Sequence, residues 1–117
     1  MRKLIIKIGG DMLSDMKEIF QDPRKGKPGT DTVYLKSPEE LYELLTPKRL
    51  EILIESMRAV DNPHTIKDVA QKTGRMQEAI SRDVSFLEKH NLIEKIKKGR
   101  TALLKTKYKS LEIQLAE

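Results

Sequence analysis

Between positions 75 and 85 the chain carries Arg75, Gln77, Glu78, Ser81, Arg82 and Ser85, a run of hydrogen-bonding side chains with two guanidiniums and one carboxylate. Groups of this kind read base edges and phosphates rather than break bonds. A glutamine pairs bidentately with adenine, an arginine with guanine or phosphate, a serine with either, and a glutamate accepts from a cytosine amine. Arg75, ahead of the others, suits a backbone phosphate, whereas Glu78 and Arg82 stand four residues apart and are expected to pair with each other. A second cluster follows in Lys95, Lys97, Lys98 and Arg100. Lysine is a flexible point charge that neutralises phosphate without demanding sequence, so this cluster suits a nucleic-acid backbone.

Other chemistry is scarce. The absence of cysteine removes disulfides, thiolate metal sites and thiol nucleophiles. The two histidines, His64 and His90, lie far apart with no carboxylate at ligand spacing, so no metal, cofactor or catalytic triad is expected and the chain is read as a non-enzyme. Aromatic residues make up 4%, too few for the stacking platforms that bind single strands. The net charge of +5 is unevenly placed. Residues 1–46 hold 8 basic and 8 acidic side chains and residues 47–117 hold 15 and 10, so the excess belongs to the second part. No apolar run approaches the roughly 20 residues of a membrane span, and a cytoplasmic location is expected.

The elements that must position these residues can be read from caps and spacing. RKLIIKI, bounded by Gly9 and Gly10, reads as a strand, and DMLSDMKEIFQD as a helix capped by Asp11 and stopped by Pro23. The IKIGGD stretch has the strand and Gly-Gly opening of the amino-acid kinase fold, but that fold needs far more chain, so the pair is read as a plain turn. Residues 23–31, PRKGKPGTD, read as a flexible connector, and TVYLK as an extended piece. Ser37-Pro38-Glu39-Glu40 starts a short helix, and Thr46-Pro47 starts another whose buried stripe is read as Leu50, Leu53, Ile54, Met57 and Val60. Thr65 and Asp68 form a capping box for IKDVAQKT, which buries Ile66, Val69 and Ala70 and ends at Gly74. A third helix, about 76–90, buries Met76, Ile80, Val84 and Leu87 and closes at His90-Asn91. LIEKIK and TALLKTKY flank Lys98-Gly99-Arg100 as a hairpin, and SLEIQL alternates as one more strand.

Helix, short helix, tight turn, longer helix and hairpin is the order of a winged helix-turn-helix domain, an α+β fold with mostly helical content. The stretches LLTPKRLEILIESM and TIKDVAQKTGRMQEAISRDVSFLEKHNLIEKIKKGR resemble bacterial and archaeal winged helix-turn-helix regulators of the broad MarR and ArsR type. They are most similar to a family of small DNA-binding regulators with an LTPKRLELL first helix. The likeness covers about residues 37–115. Ser81 stands where that family usually has histidine, and His90-Asn91 where it has Leu-Gly. The resemblance implies a sequence-specific regulator that binds double-stranded DNA, with the helix at about 76–90 in the major groove and a basic wing at about 95–107 on the backbone.

Residues 1–31 are expected to form a strand-helix arm and linker with a part in homodimerisation, and residues 32–117 the DNA-binding domain with its C-terminal strand. A homodimer is expected because one recognition helix reads too few base pairs. The alternative reading is a protein-interaction module, such as an antitoxin-like partner of a toxin or another protein, which the resemblance also permits.

Overall fold

The computed structural model describes residues 2–9, 11–26 and 28–115; Met1, Gly10 of the expected Gly-Gly turn, Lys27 of the connector, Ala116 and Glu117 lie outside the described residues. The chain divides into two units, residues 1–43 with 108–117, and residues 44–107.

The first unit is a three-stranded parallel sheet. Strand β1 (Arg2–Ile8) lies in the middle, flanked by β2 (Thr30–Leu35) and β5 (Tyr108–Gln114). Parallel strands cannot be joined by a tight turn, and helix α1 (Met12–Gln21) makes the crossover from β1 to β2. Asp11 caps α1 by accepting from the Leu13 N–H at 3.0 Å. The expected connector is shorter than 23–31: Pro23–Lys25 form a 3-10 turn, and β2 begins at Thr30. Leu4, Ile5 and Ile6 are buried in succession, as expected of a central parallel strand covered on both faces. SLEIQL, grouped with the DNA-binding domain from sequence, pairs with β1, with Leu4 opposite Leu111 and Ile6 opposite Ile113.

Two carboxylates pin this sheet. Asp31 on β2 accepts from Arg2 Nη2 at 2.6 Å and from the Tyr108 hydroxyl at 2.8 Å, which ties all three strands at one end. Asp15 on α1 accepts from Lys7 Nζ at 2.5 Å and from the Tyr34 hydroxyl at 2.8 Å, which ties the helix to β1 and β2.

The second unit has the winged helix-turn-helix order. Helix α2 (Pro38–Leu44) leads into it from the first unit. Helix α3 (Pro47–Arg58) is capped by Thr46, and α4 (Ile66–Thr73) by the reciprocal Thr65–Asp68 box. Gly74 ends α4 in the left-handed region at φ +71°, and α5 (Gln77–Lys89) follows. Asn91 takes φ +63° after α5, as its sequence position predicts. Strands β3 (Glu94–Lys98) and β4 (Thr101–Lys105) form the hairpin.

The core is built from Ile52, Leu53, Val69, Ala70, Ile80, Val84, Leu87, Leu92, Ile93 and Leu104. Two expectations about it need correction. Helix α3 buries Ile52, Leu53 and Ser56 and leaves Ile54 exposed, and Val60 lies exposed beyond the end of the helix. The side with Arg49, Ile52, Leu53 and Ser56 has the same 3-1-3 spacing as the expected one, and the Ser56 hydroxyl is satisfied by donating to the Ile52 carbonyl at 2.9 Å. Met76 is not core but the N-cap of α5, 71% exposed.

A shared carboxylate also fixes the helices of this unit. Asp83 on α5 receives Arg75 Nη2 at 2.6 Å on one oxygen and Arg49 Nε at 3.4 Å on the other, while the Arg49 guanidinium lies 3.7 Å from the Phe86 ring centroid. The α3 start, the turn after α4 and the middle of α5 therefore share one anchor.

Two predictions follow from these anchors. Burial, then the hydrogen bonds to Asp15 and Asp31, push the Tyr34 and Tyr108 phenols up to about 12, and the bonds from Lys7 and Tyr34 hold the Asp15 carboxyl below its ordinary range. A raised phenol stabilises the sheet unit fully below about pH 10 and loses that contribution as pH climbs through the folded value. A lowered carboxyl contributes above about pH 4 and is lost on further acidification. Ultraviolet titration should find two late phenols, with Tyr34→Phe and Tyr108→Phe each removing one; a wild type with no phenol titrating near pH 12 contradicts the arrangement. Asp83→Asn leaves two guanidiniums short of their counter-charge and should cost about 3 kcal/mol in denaturant unfolding; an unchanged midpoint would show that the anchor is dispensable.

Candidate nucleic-acid interface

Helix α5 presents its candidate residues because its core face is fixed elsewhere. Ile80, Val84 and Leu87 are buried, so the opposite side carries Gln77, Glu78, Arg82 and Ser85 exposed and Ser81 half-buried. At 100° per residue Gln77, Ser81 and Ser85 form one row, with Glu78 and Arg82 beside it. The α5 N-cap, Met76, makes no side-chain capping bond, in contrast to those of α1, α3 and α4. The first backbone N–H groups of α5 therefore have no capping acceptor and keep the positive end of the helix dipole.

The hairpin is seated by backbone bonds. The Leu104 N–H donates to the His64 carbonyl at 2.8 Å, and Thr65 bridges to Leu103, so β4 is stitched to the turn that opens α4. Lys97 pairs with Ala102 and Lys98 with Thr101, leaving Gly99 (φ +63°) and Arg100 as the tip. Lys97, Lys98 and Arg100 are exposed. Lys95 stands apart from them: its ammonium lies 3.5 Å from Glu88, and its N–H donates to the same carboxylate.

These segments enclose a groove of about 470 Å³, in which Gln77, Glu78 and Ser81 of α5 face Lys97, Arg100 and Thr101 of the hairpin across Thr65, Ile66 and Lys67 at the start of α4. On the other flank of α5 lies a hollow of about 510 Å³ lined by Lys48, Arg49, Arg75 and Arg82, with Asp83 as its single acid. Cations therefore border both sides of one exposed polar helix face.

Arg75 differs from its expected role. Its side chain is 15% exposed and engaged with Asp83, with Nη1 buried and unpartnered. It is a strut of the turn that adds positive charge behind the surface. Glu78 and Arg82 form no ion pair among the described residues; both point to solvent along the exposed face. Sequence reading missed Lys67 and Lys48. Each lies at the second position of a helix whose cap was legible, Lys67 after Thr65 and Lys48 after Thr46, so their place at the rim of the site was available from the caps.

Among solved structures the chain is similar to reduced HlyU from Vibrio cholerae N16961 at 21% identity, with 57% of this chain and 67% of that chain covered and a TM-score of 0.48. It is similar to NolR from Sinorhizobium fredii at 27% identity, with 62% and 79% covered and a TM-score of 0.47. The transcriptional regulator HlyU from Vibrio vulnificus CMCP6 matches at 17% identity, with 78% and 80% covered and a TM-score of 0.48. No curated protein matches the chain. The family model HVO_A0114 matches residues 44–113, which is the whole winged unit together with most of β5 and more than half of the chain, and the chain belongs to that family.

Proposed function

We propose that the protein is a transcriptional regulator that binds double-stranded DNA as a homodimer, with α5 in the major groove and the β3–β4 hairpin on the backbone. The observation that carries this reading is the exposed polar face of α5 set between two cationic borders, Lys67, Lys97 and Arg100 on one side and Lys48 and Arg82 on the other. A major groove about 12 Å wide admits one helix and places phosphates along both its flanks.

The roles divide by chemistry. Gln77, Ser81 and Ser85 are compact groups for base edges, Glu78 accepts from a cytosine amine, and Arg82 reaches a guanine edge or the adjoining phosphate. Met76, exposed at the entry to α5, offers an apolar contact for a thymine methyl. Lys97, Lys98 and Arg100 neutralise phosphates without reading sequence, joined by Lys67 and Lys48. Lys95 acts less directly, through Glu88. Arg75 positions α5 through Asp83. Two copies supply two recognition helices, so the expected operator is an inverted repeat with half-sites about one helical turn apart.

Binding measured against salt on random and selected duplex DNA tests the reading. Replacing Lys97, Lys98 and Arg100 together by Ala should lower the slope of log K against log salt by about 2 to 3, equally on both DNAs; an unchanged slope removes the hairpin from the interface. Arg82→Ala should cost about 1 to 3 kcal/mol on the selected site and much less on random DNA if it reads a base, and equal losses on the two would place it on phosphate. If the protein binds no duplex even at low salt, the basic surface serves another partner and the regulator reading falls.

A further inference from the structure

The hollow on the flank of α5 away from the hairpin carries more positive charge than its own carboxylate can answer. Four cations line it, Lys48 and Arg49 from the start of α3, Arg75 from the turn after α4 and Arg82 from α5, and Asp83 is the one acid among its lining residues. Asp83 is already used twice, accepting from Arg75 Nη2 at 2.6 Å and from Arg49 Nε at 3.4 Å. Lys48 and Arg82 are exposed and form no ion pair among the described residues. Four positive charges against one negative leave a net of +3 around a concavity of about 510 Å³. Thr46, the N-cap of α3, lines the same hollow, so the positive end of that helix dipole borders it as well.

Like charges gathered in a concave site repel one another more than on an open surface, because low-dielectric walls concentrate their field. A buried donor without an acceptor adds to the cost, and Nη1 of Arg75 is such a donor. An anion seated in the hollow relieves the repulsion and supplies the counter-charge that Asp83, shared between two guanidiniums, does not. The donors suit a phosphate: Lys48 offers a mobile point charge and Arg82 a planar fork, and together they can engage several oxygens of one tetrahedral group. The groove on the hairpin side is lined instead by Gln77, Glu78 and Ser81, so of the two concavities Arg82 belongs to this one.

We propose that this hollow is a seat for one phosphate group, held jointly by Lys48 and Arg82, with Arg49 and Arg75 as positive backing behind it. The inference deepens the DNA reading above and rests on it only for the source of the phosphate: a backbone diester in the seat takes Arg82 out of the row that reads bases. A free phosphate ion is the other source of the same chemistry.

Inorganic phosphate alone tests the seat. In the full chain, about 20 mM phosphate against chloride at equal ionic strength should raise the thermal midpoint by about 3 °C, for a site half-filled at about 10 mM. The double variant Lys48→Ala with Arg82→Ala removes exposed, unpaired side chains and should lose that shift, while Lys17→Ala, which removes an exposed cation of the sheet unit, should keep it. An equal shift in the wild type and the double variant, or no shift in the wild type, overturns the seat. Duplex DNA then identifies the source. With a backbone phosphate in the seat, the double variant lowers the slope of log K against log salt by about 1, alike on random and selected duplex, because the two cations share one phosphate. A fall of about 2 gives each cation a phosphate of its own and overturns the shared seat. A midpoint shift that depends on the two residues, with duplex affinity and slope unchanged in the double variant, upholds the seat and assigns it to free phosphate. A wild type that binds no duplex removes the regulator reading, and the phosphate measurement then decides the seat by itself.

Discussion

A carboxylate can accept from more than one donor, and in this protein each of three aspartates does so to join separate segments of the chain. Asp83 is the one on which the candidate interface depends. Arg49 comes from the start of α3 and Arg75 from the turn before α5, and both reach the same side chain in the middle of α5. Without that junction the apolar core would still bury Ile80, Val84 and Leu87, but the rotation of α5 about its axis would rest on packing alone. With it, Arg82 and Lys48 are brought to the same hollow, and the α5 row of Gln77, Ser81 and Ser85 is aimed away from the body of the unit. Asp31 and Asp15 do the equivalent work in the sheet, each accepting from a tyrosine and a cation on different strands.

Much of this was legible in the residues because it is decided within a few positions of chain. Thr46 before Pro47, Thr65 with Asp68, Gly74 and Asn91 all take the capping or left-handed roles that their chemistry favours. The polar face of α5 and the basic hairpin were legible for the same reason, since periodicity separates core from surface when the apolar residues are evenly spaced. Where two stripes compete, periodicity cannot choose. On α3, Leu50 and Ile54 match a helical face as well as Ile52 and Ser56 do, and the choice was made by Arg49 reaching Phe86 and Asp83 on another helix. Arg75 shows the same limit, since nothing near it in sequence announces that its partner is Asp83 rather than a phosphate.

The sheet is the least local part. An alternating stretch such as SLEIQL announces a strand but not its neighbour, and the neighbour is at the other end of the sequence. The family match begins at Leu44 and reaches Ile113, so β1, α1 and β2 lie before the matched region while the strand that completes their sheet lies mostly within it. The winged unit is thus an insertion between β2 and β5.

That insertion orders events during synthesis. β1 leaves the ribosome before the winged unit, and the strand that pairs with its second edge is made only after that unit. Until then the growing chain holds a finished helical unit beside an open, strongly apolar strand edge, the situation in which nascent chains are most prone to pair with the wrong neighbour. The sheet can close only once β5 is made, by which time every segment of the winged unit is already available to the others.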